Sequence, residues 1–234
     1  RYLQLAERAR SSGADCGLLH SRYSFDDRQA IEERWVNLFG KPGWKNDQRQ
    51  QQGRILIGTQ VLEQSLDIDA DFLVSRFAPT DMLLQRFGRL WRHADTPRNS
   101  HACHEAWLLV PDLQKAVESP KAAFGASAYV YNPYVLCRSL EVWYRLEQVV
   151  LPGDIRPLIE ATYQCRPEEG SMERWLHELK EGNRDRIGQI ALKQLARVGL
   201  AQTGNTLPES KAQTRYSETD SFEVLLLRSI RYDS

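Results

Sequence analysis

Gln85, Arg89 and Arg92, in the string Gln85-Arg86-Phe87-Gly88-Arg89-Leu90-Trp91-Arg92, are the residues of this sequence best suited to act on an anionic ligand. On a helix over 81–91 they stand at offsets 0, 4 and 7 and leave from one face, while Leu83, Leu84, Phe87 and Leu90 turn toward a core. Each guanidinium presents a planar fork of donors that matches phosphate oxygens. During phosphoryl transfer negative charge gathers on the γ-phosphoryl group, and a positioned arginine accelerates the step by roughly 10³–10⁵. Arg89 and Arg92 are the candidates for that role, and Gln85 for holding the γ-phosphate or the attacking water. The same spacing alone also describes a surface helix whose arginines pair with carboxylates, so the neighbouring segments decide.

One such segment is Ile57-Gly58-Thr59-Gln60-Val61-Leu62-Glu63-Gln64-Ser65-Leu66-Asp67-Ile68-Asp69, which starts at the end of an expected strand. Ligands of open α/β sheets collect at the carboxyl ends of strands. Thr59 therefore suits a contact to a nucleic-acid phosphate, Asp67 a hydrogen bond from a ribose hydroxyl, and Glu63 the orientation of the loop between the two ligands. A third segment, His20-Ser21-Arg22-Tyr23-Ser24-Phe25-Asp26-Asp27-Arg28, also follows an expected strand. Ser21, Arg22 and Arg28 supply donors of the kind that line a phosphate backbone. Threonine, serine and aspartate at strand ends also serve as plain caps.

These residues need an alternating scaffold to position them. Residues 1–111 carry strand candidates at 16–20, 54–59, 71–76 and 105–110, separated by helical segments, the pattern of an α/β fold with a parallel sheet flanked by helices. Ile31, Trp35, Leu38 and Phe39 mark one face of a helix over 26–39, with Asp26 or Asp27 as N-cap and Gly40-Lys41-Pro42-Gly43 as its stop. The polar run 46–53 reads as a solvent loop. After Pro111 the pattern changes to a linker over 112–132 and a smaller, mainly helical C-terminal unit over 133–234, opening with a helix over 133–150. There, 202–221 is expected to be a loop before a strand at 224–227.

Composition supports a globular protein with a real core, 41% hydrophobic and 26% charged among 234 residues. Lys+Arg and Asp+Glu balance at 31 each, so nucleic-acid contact must come from local geometry rather than a global basic excess. The four cysteines form no C-x-x-C pair, which fits a reducing cytoplasm. No run approaches the ~18 apolar residues of a membrane span. His101-Ala102-Cys103-His104 reads as a polar turn rather than a metal site, and Trp107, Trp143, Tyr144 and Trp175 read as core rather than base-stacking surface. The stretch 178–186 reads as a solvated helix end.

The three segments occur in the order of helicase motifs IVa, V and VI, and together the chain resembles the CRISPR-associated helicase-nuclease of type I interference systems. The string Thr59-Gln60-Val61-Leu62-Glu63-Gln64-Ser65-Leu66-Asp67 carries most of that resemblance, with Leu18 to Tyr23, Pro79-Thr80-Asp81 and Gln85 to His93. Looser similarity continues through Val130 to Leu136 and Thr214-Arg215-Tyr216. The resemblance implies that 1–111 is the second RecA-like domain of a superfamily 2 motor. It further implies ATP and Mg²⁺ as cofactors, held mainly by the first RecA-like domain, and single-stranded DNA as the track, traversed 3′ to 5′. The implied partners are that first domain, an HD nuclease domain and the crRNA-guided Cascade complex, in antiviral defence. By residue it implies a backbone contact for Thr59, a ribose contact for Asp67, nucleotide sensing and arginine-finger roles for Gln85, Arg89 and Arg92, and a place near nucleic acid for Arg28. Trp91 departs from the histidine frequent in this family's motif VI.

The 234 residues include no G-x-x-x-x-G-K-[ST] loop, no D-E-x-H or D-E-x-D motif and no paired His-Asp cluster. The chain is accordingly expected to be an excised piece of a larger enzyme, inactive alone. Two rival readings remain: another superfamily 2 motor acting on DNA or RNA, and a non-catalytic helicase-like docking module.

Overall fold

A computed structural model describes residues 2–44, 52–63 and 66–194. The expected strand at 224–227, the loop before it, Thr214–Tyr216, most of the polar run at 46–53 and Gln64-Ser65 lie outside the described residues. The chain divides into two compact units, Arg1–Met172 and Glu173–Ser234.

The first unit is a mixed α/β structure. Helix α1 (Tyr2–Ser11) leads into strand β1 (Asp15–Leu19), helix α2 (Phe25–Phe39) and a 3₁₀ turn at Lys41–Trp44. Strand β2 (Arg54–Gly58), a second 3₁₀ turn (Gln60–Glu63), strand β3 (Phe72–Arg76), helix α3 (Thr80–Phe87) and strand β4 (Glu105–Leu109) complete the part that carries the motifs. Strands β1 and β2 pair in parallel from Asp15↔Arg54 to Leu19↔Gly58, and β3 and β4 in parallel from Phe72↔Glu105 to Arg76↔Leu109. All four expected strands form, each within a residue or two of its expected bounds.

Ser24, not Asp26 or Asp27, caps α2. Its Oγ accepts from the N–H of Asp27 at 3.2 Å and donates back to the Asp27 carboxylate at 2.7 Å. Two groups of the first turn are thus satisfied reciprocally, an arrangement open to Ser24 because the residue three positions on is acidic. Along α2, Trp35 is buried against β1 at Gly17, where a Cβ would stand 2.1 Å from the indole. Leu19, Val61, Leu66 and Ile68 form the core beneath, flanked by Ile31, Val36, Phe39, Leu56 and Leu62.

Past β4 come helices α4 (Leu113–Glu118), α5 (Pro120–Phe124), α6 (Ser127–Val130), α7 (Pro133–Trp143) and α8 (Ile155–Tyr163). Residues 112–132, expected as a linker, hold three short helices, and 112–172 share one compact unit with the α/β part instead of standing apart from it. The reason lies on α3. The N–H of Thr80 donates to Ser139 Oγ at 3.0 Å, and Trp143 Nε1 donates to Thr80 Oγ1 at 2.9 Å. Thr162 Oγ1 donates to Leu158 O at 2.8 Å, which leaves Thr80 as the donor in its 2.6 Å bond to Thr162. Phe87 meets Trp143 edge to face at 5.2 Å. Such a buried, fully paired network holds α3 between the strands and α7–α8.

Helix α7 ends at Trp143, short of the expected Val150, and Leu146 and Val150 are exposed. Trp143 and Trp175 are core residues as expected, but Trp107 is 61% exposed and Tyr144 is also exposed, so neither contributes to the core. Arg138 is buried and donates to the last carbonyls of α8, Ala161 at 2.8 Å and Thr162 at 3.1 Å, and to Glu168 at 3.2 Å. It acts as a side-chain cap for that helix end.

Glu168 also receives Tyr134 and Arg166, at 2.8 Å each. Desolvation raises its pKa, but hydrogen bonds from Arg166 and Tyr134 and the charges of Arg166 and Arg138 outweigh it and hold the carboxyl below the usual range. A depressed folded-state pKa means stability that is present above the unfolded value, ~4.3, and lost as pH falls through the folded value. Glu168→Gln is therefore expected to flatten the acid limb of the stability profile, measured by chemical denaturation at a series of pH values below ~5.

The second unit continues helix α9 (Gly170–Glu181) past Met172 and adds a short antiparallel pair, β5 (Gly182–Asn183) and β6 (Arg186–Ile187). The stretch 178–186, expected as a helix end, holds the end of that helix at Glu181 and then turns into a tight hairpin. Among the described residues no helix is long and apolar enough to cross a membrane.

Candidate nucleotide and nucleic-acid site

Motif VI does not lie on one continuous helix. Helix α3 stops at Phe87, with the Gly88 N–H bonded to Leu84 O at 2.9 Å, and the chain then turns. Leu90 forms a parallel bridge to Ala70: Ala70 N donates to Arg89 O at 2.7 Å and Trp91 N to Ala70 O at 3.0 Å. Trp91 takes a left-handed backbone conformation, φ 49°, which costs a bulky residue ~1 kcal/mol or more. Tertiary contacts offset that cost. The indole N–H donates to Asp71 O at 3.0 Å, the ring stacks on His104 at 4.7 Å, and the Arg98 guanidinium lies over it at 4.4 Å. The single helical face expected for Gln85, Arg89 and Arg92 is thus replaced by an exposed Gln85 on α3 and two arginines on the irregular chain beyond it. Leu83 and Leu84 are in the core, while Phe87 and Leu90 are half-buried.

Arg86 and Arg89 have opposite surroundings. Arg86 places all five of its N–H groups: Nε at 2.7 Å and Nη2 at 2.5 Å on Glu63 Oε1, Nη1 at 2.8 Å on Ser75 Oγ and 3.0 Å on Arg76 O, and Nη2 at 3.2 Å on Tyr131 Oη. It has no donor left for a ligand. Among the described residues the Arg89 side chain makes one bond, Nη2 to Glu63 O at 3.1 Å, and its buried Nε has no partner. Desolvation lowers its pKa, the nearby charge of Arg92 lowers it further, and Asp67 partly compensates. A desolvated guanidinium with an unfilled donor beside a second cation is an arrangement that an incoming anion would stabilise.

Arg92 donates from Nε to Asp67 Oδ1 at 2.9 Å, and His93 Nε2 meets the same oxygen at 3.0 Å. Asp67 is half-exposed, with both contacts on Oδ1. Asp69, two residues on, is fully buried and takes Arg92 N at 2.9 Å, Arg98 Nη2 at 2.9 and 2.8 Å, and the Thr96 hydroxyl. Arg98 also donates to Asp71. Asp69 thereby fixes the backbone from which Arg92 leaves. Glu63, expected to orient the loop between the two ligands, is 7% exposed and clamped by Arg86. Its carboxylate is turned inward because it neutralises a buried guanidinium; only its backbone carbonyl reaches Arg89.

Parallel pairing brings the other candidates to one sheet edge. Thr59 N donates to Leu19 O at 3.2 Å, so exposed Thr59 and the Ser21-Arg22 loop follow adjacent strand ends. Arg22 N donates to His20 Nδ1 at 3.1 Å, and His20 stacks on Tyr23 at 4.3 Å, which shapes the turn. Arg28 lies one turn into α2, paired with Glu32 at 2.6 Å in an i,i+4 bridge that leaves it partly exposed. The positioning residues Arg86, Asp69, Arg98 and Tyr131 escape a search for ligand-facing groups. Arg86 and Asp69 do stand inside the motif strings, but their long-range partners are invisible there.

Solved structures with this arrangement of elements include T. fusca Cas3 with ADP, TM-score 0.67 at 30% identity over 83% of this chain and 21% of that one. A chain of a CRISPR RNA-guided surveillance complex in a pre-nicking state matches with TM-score 0.60 at 30% identity, over 86% of this chain and 22% of that one. The fold is therefore that of the RecA-like domain found in the C-terminal part of these helicases. Residues 1–95 match the family described as CRISPR-associated nuclease/helicase Cas3, C-terminal. The Cas3 endonuclease/helicase of Thermus thermophilus is 36% identical over 184 residues, 74% of this chain and 18% of the relative; that of Escherichia coli K12 is 45% identical over 92 residues, 39% and 10% respectively. These matches support a Cas3 helicase C-terminal region for this chain, which spans less than a fifth of the length of these two curated relatives.

Proposed function

We propose that this chain is the C-terminal motor half of an ATP-dependent single-stranded DNA translocase, coupled to nuclease degradation of foreign DNA in CRISPR interference. The observation that carries the reading is Arg89: a desolvated guanidinium beside Arg92, with Nη2 on the Glu63 carbonyl in the turn after β2 and a buried Nε that has no partner among the described residues. Its donor set fits the terminal phosphates of ATP, with Arg92 beside it and Asp67 Oδ2 available to a ribose hydroxyl. Bound ATP would supply the γ-phosphoryl group whose transfer to water drives movement, its Mg²⁺ being held mainly by a first RecA-like domain. Arg89 would then stabilise charge on the transferred γ-phosphoryl group, Arg92 would add a second cation, and Gln85 would orient the attacking water as ADP leaves. Thr59, Ser21, Arg22 and Arg28 hold the sugar-phosphate backbone of the strand without reading its sequence.

The solved neighbour with ADP and the relatives' designation as nuclease/helicases support this reading. The likeness to a chain of a surveillance complex supports recruitment by crRNA-guided Cascade, with an HD nuclease domain as the cutting partner. In the full-length protein, ATP hydrolysis is expected to rise with added single-stranded DNA, while the isolated 234-residue chain binds nucleotide weakly and gives no turnover. Turnover by the isolated chain, or stimulation by RNA and not DNA, would refute the reading.

A further inference from the structure

One phenol oxygen joins the two ligand-facing segments. Tyr131 Oη accepts from Gln60 Nε2 at 3.1 Å and from Arg86 Nη2 at 3.2 Å. Arg86 can only donate, and a phenol oxygen has two acceptor positions, so both bonds fit at once. Gln60 adjoins Thr59, the candidate strand contact. Arg86 grips Glu63, whose backbone carbonyl receives Arg89. Tyr131 itself is firmly seated. Its neighbour Asn132 caps α7 through a 2.9 Å bond from Tyr134 N, and α7 is tied to α3 by Ser139 and Trp143.

We propose that Tyr131 is a positioning residue that couples the strand-contacting segment Thr59–Glu63 to the segment Arg86–Arg89, so that strand binding at Thr59 is felt at Arg89. Displacing Gln60 by an ångström takes its bond to Tyr131 beyond hydrogen-bond reach. Because Arg86 has all five donors committed, a shift of Tyr131 or Glu63 is passed along α3 toward Arg89 rather than absorbed by a spare donor. This proposal rests on the function proposed above. Coupling of this kind is reciprocal, so nucleotide must alter strand affinity by the same factor that strand alters nucleotide affinity.

The test is Tyr131→Phe in the full-length protein, which removes the hydroxyl and keeps the ring. DNA-free ATP hydrolysis and the KM for ATP are expected to stay at the parent's values. Strand-stimulated kcat is expected to fall roughly tenfold, the factor associated with losing one hydrogen bond to a charged group. The ratio of single-stranded DNA affinities with and without a non-hydrolysable ATP analogue is expected to move toward one. Parent-level stimulation in Tyr131→Phe would overturn the coupling alone. Equal loss of DNA-free and stimulated rates would reduce Tyr131 to a fold support and overturn it too. A parent without strand-stimulated hydrolysis would overturn the function, and the coupling with it.

Discussion

Arg89→Ala in the full-length protein is expected to lower kcat for DNA-stimulated ATP hydrolysis by roughly 10³-fold or more, the scale of an arginine that stabilises phosphoryl-transfer charge. The size follows from what Arg89 does and does not contact. Arg86 is consumed by protein acceptors, whereas among the described residues the Arg89 side chain gives the fold one bond, to Glu63 O, and keeps a buried Nε unfilled. Little folding energy therefore depends on it, and the alanine variant is expected to retain the parent's thermal midpoint and single-stranded DNA affinity. Arg89→Lys restores the charge without the planar fork and is expected to recover only a small part of the rate. Steady-state hydrolysis across ATP concentrations separates the effects: a catalytic role lowers kcat, while a purely binding role raises KM alone. Hydrolysis at the parent's rate in Arg89→Ala would sink both the translocase reading and any other ATP-driven reading of this chain.

The second large effect is on stability. Arg98→Ala leaves the fully buried Asp69 carboxylate without its two Arg98 hydrogen bonds and removes the cation over the Trp91 ring. Breaking a buried pair by deleting one partner typically costs ~3–5 kcal/mol, because the surviving charge stays desolvated. Chemical denaturation followed by tryptophan fluorescence should show a loss of that order. Asp69→Asn should cost less, since the amide keeps the shape of the site and carries no charge to be neutralised. The double variant should cost less than the sum of the single ones, as expected for residues in one network. A loss below ~1 kcal/mol for Arg98→Ala would mean that water or another donor takes over at Asp69. The same change should weaken ATP turnover indirectly, because Asp69 also accepts the Arg92 N–H.

Much of the scaffold was legible along the chain. Four short apolar stretches separated by helical periodicity require a parallel α/β arrangement, and pairing of β1 with β2 and of β3 with β4 follows it. Trp35 and Phe39 on one face of α2 require a core beneath that helix, and Trp35 is buried there. Thr59 at the end of β2 and Ser21-Arg22 after β1 were each readable as following a strand; that the two strands are neighbours is decided by their pairing in the fold. The CRISPR-associated family was readable too, since the string from Thr59 to Asp67 is narrower than what any helicase motor must carry.

Local pattern could not place the break after Phe87. Residues 81–91 have helical periodicity throughout, yet Ala70 captures Leu90 and the packing of Trp91 on His104 and Arg98 holds a left-handed turn. Nor could it show that of three neighbouring arginines one is spent on Glu63, one is held beside Asp67, and one is left with an empty donor among the described residues. The attachment of 112–172 to the α/β part was equally hidden, because it depends on hydroxyls of Thr80, Ser139 and Thr162 meeting across long separations. Periodicity and motif spacing are properties of adjacent residues and determined which elements form and which residues could meet a phosphate. Tertiary packing decided where the helix ends and which guanidinium is free, since both depend on partners brought together only when the chain folds.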